Sequence, residues 1–219
     1  MKDIDLLIFD CDGVLLDSEL LAVRADVTCF AEWGLQLSED DLRVRYTGLS
    51  ASAMIEDVQS RLNVRLPRGF DRMLEERLRQ YFEAELRPVP GMDVLLDTLA
   101  CKRCVASSST PERLAHSLRL VGLYSRFAPN IFSATQVARG KPAPDLFLFA
   151  ADRMLAEPHQ CMVIEDSIPG VVAAKSAGMV AVGFCGGSHC SESHGRELLE
   201  AGADAVAYDL RELTLALQR

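Results

Sequence analysis

Short apolar segments alternate with segments of helical periodicity from Gly91 onward. Apolar runs of this length are typical of buried strands, and the intervening segments are long enough for helices. Strands that are joined through helices pair in parallel, because a parallel neighbour can only be reached by a crossover. The alternation therefore predicts an α/β fold with a doubly wound parallel sheet. The predicted strands are residues 4–9, 103–107, 131–133, 161–164, 179–184 and 205–207, and the predicted helices are residues 92–99, 112–121, 144–155, 169–177, 192–201 and 211–217.

The segment from 17 to 87 has a different pattern, with helical spacing and no convincing strand. Its predicted helices are residues 20–33, 39–45, 51–62 and 70–86. We therefore expect a core domain built from residues 1–16 and 88–219, interrupted by a helical cap domain of residues 17–87. Because the insertion follows the first strand directly, it is well placed to act as a lid over the end of that strand.

Polar side chains follow three of the predicted strands at the point where each strand ends. Asp10 and Asp12 follow the first strand, Ser107 ends the second with Ser108 behind it, and a pair of acids follows residues 161–164, namely Glu165 and Asp166. In a parallel sheet these ends share one edge, where ligands collect. Four carboxylates at one edge repel each other unless a cation lies among them, and oxygen ligands favour Mg²⁺.

Lys141 supplies a positive charge that this acidic edge needs. It lies in the loop Arg139–Asp145, between a glycine and a proline, and it is one of only four lysines in the chain. A second proline stiffens the same loop before the next helix. We expect Lys141 to be the cationic partner of the carboxylates.

Composition excludes several other classes of partner. The formal net charge is −9 and no long basic run is present, which argues against nucleic acid and acidic membrane surfaces. No apolar stretch could span a bilayer, and charges come too early for a secretory signal, so we expect a cytoplasmic protein. The sequence carries no interface signature and fits a monomer or a homodimer.

The seven cysteines are odd in number and irregularly spaced, so we interpret them as reduced, mostly buried thiols. Cys101 and Cys104 have the spacing of a redox or zinc half-site. No second pair at metal spacing accompanies them, and we assign them no chemistry.

Four motifs together resemble the haloacid dehalogenase superfamily of aspartyl-phosphate phosphohydrolases. They occur in order across nearly the whole chain: Asp10-Cys11-Asp12-Gly13-Val14, then Ser107, then Lys141, then Glu165-Asp166. The helical insertion after the first motif is similar to that of the subgroup containing β-phosphoglucomutase and phosphoglycolate phosphatase.

The resemblance implies a role for each motif residue. Asp10 would be the nucleophile and Asp12 the general acid and base. Ser107, Ser108 and Lys141 would bind the phosphoryl group. Mg²⁺ would be held by Asp10, the main-chain carbonyl of Asp12 and Asp166, with Glu165 bound to it directly or through a water molecule. In the cap, the turn of Thr47, Gly48, Leu49 and Ser50 would contact the rest of the substrate.

Among the family's activities, the sequence favours a phosphatase acting on a small phosphorylated metabolite. The expected substrates are sugar phosphates or phosphorylated sugar acids, of the 6-phosphogluconate or phosphoglycolate type. Dehalogenases lack a counterpart of Asp12, and phosphonoacetaldehyde hydrolases need a cap lysine, whereas residues 18–87 hold ten arginines and no lysine.

A β-phosphoglucomutase-type mutase is the main alternative. The cap turn lacks the basic residues of that family, and Ala22 stands near the position of the mutase's cap histidine. A non-catalytic Mg²⁺-binding domain is a further alternative, although its motifs would be expected to be degraded.

Overall fold

The computed structural model describes residues 4–46 and 51–217, and six strands in that part of the chain form one parallel sheet. The strands are β1 (Leu6–Phe9), β2 (Lys102–Ser107), β3 (Ile131–Ser133), β4 (Cys161–Glu165), β5 (Val180–Phe184) and β6 (Ala205–Ala207). Their order is β3-β2-β1-β4-β5-β6, with every neighbouring pair parallel. The predicted α/β fold class is confirmed.

The helices alternate with the strands after Gly91, as the sequence pattern predicts. In chain order they are α1 (Glu19–Glu32), α2 (Glu39–Tyr46), α3 (Ala51–Leu62), α4 (Phe70–Glu85), α5 (Met92–Thr98), α6 (Pro111–Leu120), α7 (Tyr124–Phe127), α8 (Asp145–Arg153), α9 (Ile168–Ser176), α10 (His194–Glu200) and α11 (Leu210–Leu217). None of the helices in the described ranges is both long and apolar enough to cross a membrane.

Both faces of β1 are covered, which explains why this strand carries no polar residue. Leu6 and Ile8 belong to the same buried cluster as Phe147 of α8. On the opposite face, the ring of Phe9 meets the ring of Phe127 edge to face, with centroids 5.9 Å apart. A strand that is buried on both sides loses the alternation of apolar and polar residues, as is usual in parallel sheets.

The described chain divides into two compact units. One contains residues 4–17 and 87–217 with the whole sheet, and the other contains residues 18–46 and 51–86. In the second unit α1 packs along α4, and the rings of Phe30 and Phe70 lie 5.0 Å apart between centroids. The sequence places the boundaries one residue away, after 16 and after 87, and the assignment of a catalytic core and a cap stays a prediction.

The structure differs from the predicted elements in small ways. β1 begins at Leu6 rather than at residue 4, and the single-turn helix α7 was not expected. A single-turn helix such as α7 carries too little periodicity to be recognised from sequence.

The hydroxyl of Thr110 caps α6 by accepting a hydrogen bond from the Arg113 main-chain N–H at 3.3 Å.

Candidate active site

The register of the sheet brings the polar strand ends to one edge. Phe9 of β1 pairs with Val105 of β2 and with Ile164 of β4, so Asp10 and Glu165 come at the same level. The main-chain N–H of Asp10 continues the ladder by donating to the Ile164 carbonyl at 3.0 Å. This pairing fixes the position of the Asp10 backbone before any side-chain contact is considered.

Lys141 is buried between two of these carboxylates. Its Nζ lies 2.6 Å from Asp10 Oδ1 and 2.5 Å from Glu165 Oε1, and its side chain is 4% exposed. The same Nζ lies 5.1 Å from the ring centroid of Phe147. Burial lowers the pKa of Lys141, but the attraction of the two carboxylates outweighs it, so the net pKa is raised and the ammonium is held charged.

Glu165 is fully buried and is held at both of its oxygens. Lys141 bonds Oε1, while the main-chain N–H and the hydroxyl of Ser167 donate to Oε2 at 2.7 and 2.9 Å. At Gly170, the first turn of α9 passes so close that a Cβ there would lie 1.8 Å from Oε1. The surroundings of Glu165 therefore fix its orientation, and through it the position of Lys141.

Asp166 completes a buried acidic cluster with Asp10 and Glu165. One carboxylate oxygen from each lies within 4.8 Å of the others. Burial raises the pKa of Asp10 and of Asp166 well above the usual range, and repulsion from Glu165 adds to it, while Lys141 opposes the rise. One ammonium is too little charge for three buried carboxylates, and hard oxygen donors at this spacing fit a divalent cation such as Mg²⁺.

Asp12 lies at the side of this cluster and has separate partners. Its Oδ2 accepts a hydrogen bond from the Ser109 hydroxyl at 2.7 Å, and Arg113 Nη2 is 3.6 Å from Oδ1. Its side chain is 15% exposed, so it is more accessible than Asp10. The sequence pattern did not identify Arg113 as a site residue. Its place in the first turn of the helix that follows β2 could have indicated it.

The serines after β2 differ in their surroundings. Ser107 is buried, and its hydroxyl accepts a hydrogen bond from the Ser109 main-chain N–H at 3.1 Å. Ser108 is exposed. The cap turn of Thr47, Gly48, Leu49 and Ser50 lies outside the described residues, so its predicted substrate contact stays a prediction.

His189 is a site residue that the sequence pattern did not identify. Its Nε2 donates to Asp166 Oδ2 at 2.9 Å, and both side chains are 3% exposed. Asp17 holds the neighbouring residue, because Asp17 Oδ1 accepts hydrogen bonds from Ser188 N–H and Oγ at 2.9 and 2.7 Å. The loop containing His189 follows β5, whose end lies at the same edge of the sheet as Asp10. Its position after a strand of the parallel sheet could therefore have indicated His189 as a site residue.

Gly13 leaves the space into which Asp166 and His189 fit. It has a φ of +78°, and a Cβ on it would lie 1.9 Å from Asp166 Oδ2 and 2.9 Å from His189 Cε1. We expect Gly13→Ala to lower any activity that depends on Asp166 at least about tenfold, because it displaces that side chain, and to destabilise the fold by about 1–3 kcal/mol.

Gly122→Ala is the matched control for that variant. Gly122 has a φ of +74°, and among the described residues no side chain or distant backbone atom lies within 4 Å of the place that a Cβ would take. An added methyl group there strains the backbone, because φ is positive, but it clashes with no neighbouring group. Thermal unfolding and steady-state rates of both variants separate strain from displacement of Asp166. Equal activity in the two variants would contradict the steric role of Gly13.

Comparison with known proteins identifies the family of this chain. Residues 4–178 match the family described as haloacid dehalogenase-like hydrolase. The chain belongs to this family. The matched range contains all four motifs and every member of the acidic cluster.

Relatives of this haloacid dehalogenase-like hydrolase include two curated phosphatases. The 6-phosphogluconate phosphatase of Escherichia coli is 30% identical over 190 residues, covering 86% of each chain. A phosphorylated carbohydrates phosphatase of Thermotoga maritima is 34% identical over 206 residues, covering 92% of this chain and 93% of the relative. A haloacid dehalogenase-like protein from Agrobacterium tumefaciens superposes with a TM-score of 0.85 at 35% identity, covering 99% of this chain and 100% of the other.

Proposed function

We propose that this protein is a Mg²⁺-dependent phosphatase that hydrolyses small phosphate monoesters through an aspartyl-phosphate on Asp10. The observation that carries the proposal is the buried contact of Lys141 with Asp10 and Glu165, with Asp166 beside them. A carboxylate held against an ammonium at the edge of a parallel sheet is suited to attack an anionic substrate.

Asp10 and Asp12 perform the two chemical steps of the proposed reaction. An Asp10 carboxylate oxygen bonds to phosphorus as the bond to the alcohol oxygen breaks, and Asp12 gives its proton to that oxygen. Asp12 then removes a proton from water, whose oxygen bonds to phosphorus and releases Asp10 and inorganic phosphate. The separate hydrogen bond of Asp12 to Ser109 keeps its carboxylate apart from the Lys141 contact.

The remaining residues balance charge and orient the reacting groups. Lys141 and the Ser107 hydroxyl bind phosphoryl oxygens, and Glu165 positions Lys141. Asp10 and Asp166 would hold Mg²⁺ together with the Asp12 carbonyl, and Glu165 contributes its charge. When bound, the ion neutralises phosphoryl oxygens and offsets the repulsion between the substrate and Asp10. His189 orients Asp166 through the 2.9 Å contact.

Sugar phosphates and phosphorylated sugar acids are the proposed substrates. The names of the two curated relatives support this class, since one is a 6-phosphogluconate phosphatase and the other a phosphorylated carbohydrates phosphatase. Within the class, we propose that residues of the cap domain, including Thr47–Ser50, select the substrate.

Removing the metal is expected to abolish activity. Chelation should lower phosphate release from 6-phosphogluconate, phosphoglycolate or a hexose phosphate at least about 100-fold, because Asp10 and Asp166 then repel both each other and the substrate. Added Mg²⁺ should restore the rate. The assay measures inorganic phosphate, and a parallel incubation with β-glucose 1-phosphate tests for isomerisation to the 6-phosphate.

Two results would contradict the proposal. Full activity in the presence of a chelator would show that the reaction does not require a metal ion. Conversion of β-glucose 1-phosphate without phosphate release from any ester would favour the mutase instead.

A further inference from the structure

Arg113 is a cation beside Asp12 to which the proposed reaction gives no part. Its Nη2 lies 3.6 Å from Asp12 Oδ1, and its side chain is 23% exposed. This separation is that of an ion pair and is longer than a hydrogen bond. Arg113 therefore adds positive charge next to Asp12, while the Ser109 hydroxyl holds the other carboxylate oxygen at 2.7 Å.

The first turn of α6 fixes the position of Arg113. Its main-chain N–H donates to the Thr110 hydroxyl at 3.3 Å, at the point where the helix begins. Leu114 and Leu118 of the same helix are buried and anchor its apolar face. A binding residue on a packed helix is held more precisely than one on a loop.

Lys141 and Arg113 lie beside different carboxylates of the site. Lys141 is buried between Asp10 and Glu165, where the proposed reaction places the phosphoryl group. Arg113 lies beside Asp12, which gives its proton to the leaving oxygen in that reaction. Arg113 is therefore on the side of the leaving alcohol.

Arg113 is close enough to contact a group that the leaving alcohol carries. A proton donor must come within about 3 Å of the oxygen that it protonates. Since Ser109 donates to Oδ2 of Asp12, we assign the contact with the leaving oxygen to Oδ1. Arg113 Nη2 is then at most about 7 Å from the leaving oxygen. A short hydroxy acid, such as glycolate or gluconate, can place its carboxylate between the two.

An acidic leaving group needs a cation at this position. Asp12 is an anion once it has given up its proton, and the site also contains Asp10, Glu165 and Asp166, so a substrate carboxylate would be repelled. The planar guanidinium of arginine can donate two parallel hydrogen bonds to one carboxylate. A neutral sugar offers only hydroxyl groups, whose hydrogen bonds to the guanidinium are weaker than those of a carboxylate.

We propose that Arg113 is a specificity-determining residue that binds a carboxylate of the leaving group, so that the substrate is a phosphorylated hydroxy acid rather than a neutral sugar phosphate. This inference rests on the proposed function and narrows its substrate class. Lys141 binds the phosphoryl end of the substrate, and Arg113 binds the acid at the other end.

Matched pairs of ligands test this proposal without turnover. 6-Phosphogluconate and glucitol 6-phosphate differ only at one end, which is a carboxylate in the first and a hydroxymethyl group in the second. Phosphoglycolate and 2-hydroxyethyl phosphate form the corresponding shorter pair. Calorimetric titration of the full chain carrying Asp10→Asn, with Mg²⁺ present, measures the dissociation constant of each compound.

In at least one pair, we expect the acid to bind at least about tenfold more tightly than the alcohol, because hydrogen bonds to a charged group are worth this much. Adding Arg113→Met to the same protein should abolish the preference. The ratio within a pair is the readout, since a general loss of affinity would weaken both members equally.

Two further variants separate carboxylate recognition from general effects of charge. Arg113→Lys keeps the positive charge but loses the planar guanidinium, and it should keep part of the preference. Arg119→Met is the control, since Arg119 is exposed on the same helix and its guanidinium lies 4.0 Å from the centroid of the Tyr124 ring. It should leave the ratio unchanged. Circular dichroism shows whether each variant is folded, and Arg113→Gln replaces Arg113→Met if the latter is not.

The proposal is overturned if neither acid binds more tightly than its alcohol, or if the preference survives Arg113→Met. Phosphate release by the wild-type protein from the same four compounds tests the proposed function separately. If none is hydrolysed while an acid is still bound more tightly through Arg113, the phosphatase proposal fails and carboxylate recognition by Arg113 stands.

Discussion

Replacing Asp10 by asparagine is expected to lower phosphate release at least about 10⁴-fold, the scale of loss seen when a nucleophile is removed. In the unsubstituted protein Lys141 Nζ lies 2.6 Å from Asp10 Oδ1. The amide oxygen of asparagine can still accept this hydrogen bond, but the amide cannot form the aspartyl-phosphate. Stability should not fall, because burial disfavours the ionised carboxylate that the substitution removes.

Asp5→Asn is the control for that substitution. Asp5 precedes the same strand, is exposed, and contacts the sheet through its main-chain N–H, which donates to the Gln160 carbonyl at 2.9 Å. The control should keep the wild-type rate in the same phosphate-release assay. An Asp10→Asn enzyme that retains more than about a tenth of the activity would contradict the role of Asp10 as nucleophile.

Lys141→Met is expected to affect both activity and stability. Activity should fall about 10²–10⁴-fold because the developing phosphoryl charge loses its ammonium partner. Without metal, the free energy of unfolding should fall by about 3–5 kcal/mol, since a buried charge partner is removed from Asp10 and Glu165. Mg²⁺ should restore part of this loss by binding only the folded protein.

Lys175→Met is the matched control, because Lys175 forms an exposed ion pair with Asp204 at 2.7 Å. We expect it to change stability by less than about 1 kcal/mol and to leave activity unchanged. Urea unfolding with and without Mg²⁺ gives the stability of both variants. Equal effects of the two substitutions on stability would contradict the claim that Lys141 balances the buried charges of Asp10 and Glu165.

Lys141→Arg should not keep the wild-type activity. The bulkier guanidinium does not fit at this position, where the lysine side chain is only 4% exposed.

Sequence reasoning succeeded where local pattern and parallel topology are sufficient. The alternation of apolar and helical segments predicts the sheet, and the shared edge of parallel strands predicts that Asp10 and Glu165 meet. Lys141 was expected as their cationic partner from its loop alone, and the structure places it between them.

What the sequence could not predict depends on side-chain packing between distant segments. The contact of Ser109 with Asp12 requires the turn after β2, and the contact of His189 with Asp166 requires a loop that has no periodicity. The close approach at Gly13 likewise appears only when the loop of His189 folds over it. Such contacts follow from the tertiary fold and leave no regular spacing in the sequence.

The covalent intermediate on Asp10 is the central claim, and chemical trapping tests it most directly. Enzyme that is quenched during turnover of a sugar phosphate with Mg²⁺ is treated with borohydride, which reduces an acyl phosphate to an alcohol. Mass spectrometry of the peptide that contains residues 5–12 should then show homoserine in place of Asp10 and an unchanged Asp12. Rapid turnover with no modification of Asp10 would contradict the proposed mechanism.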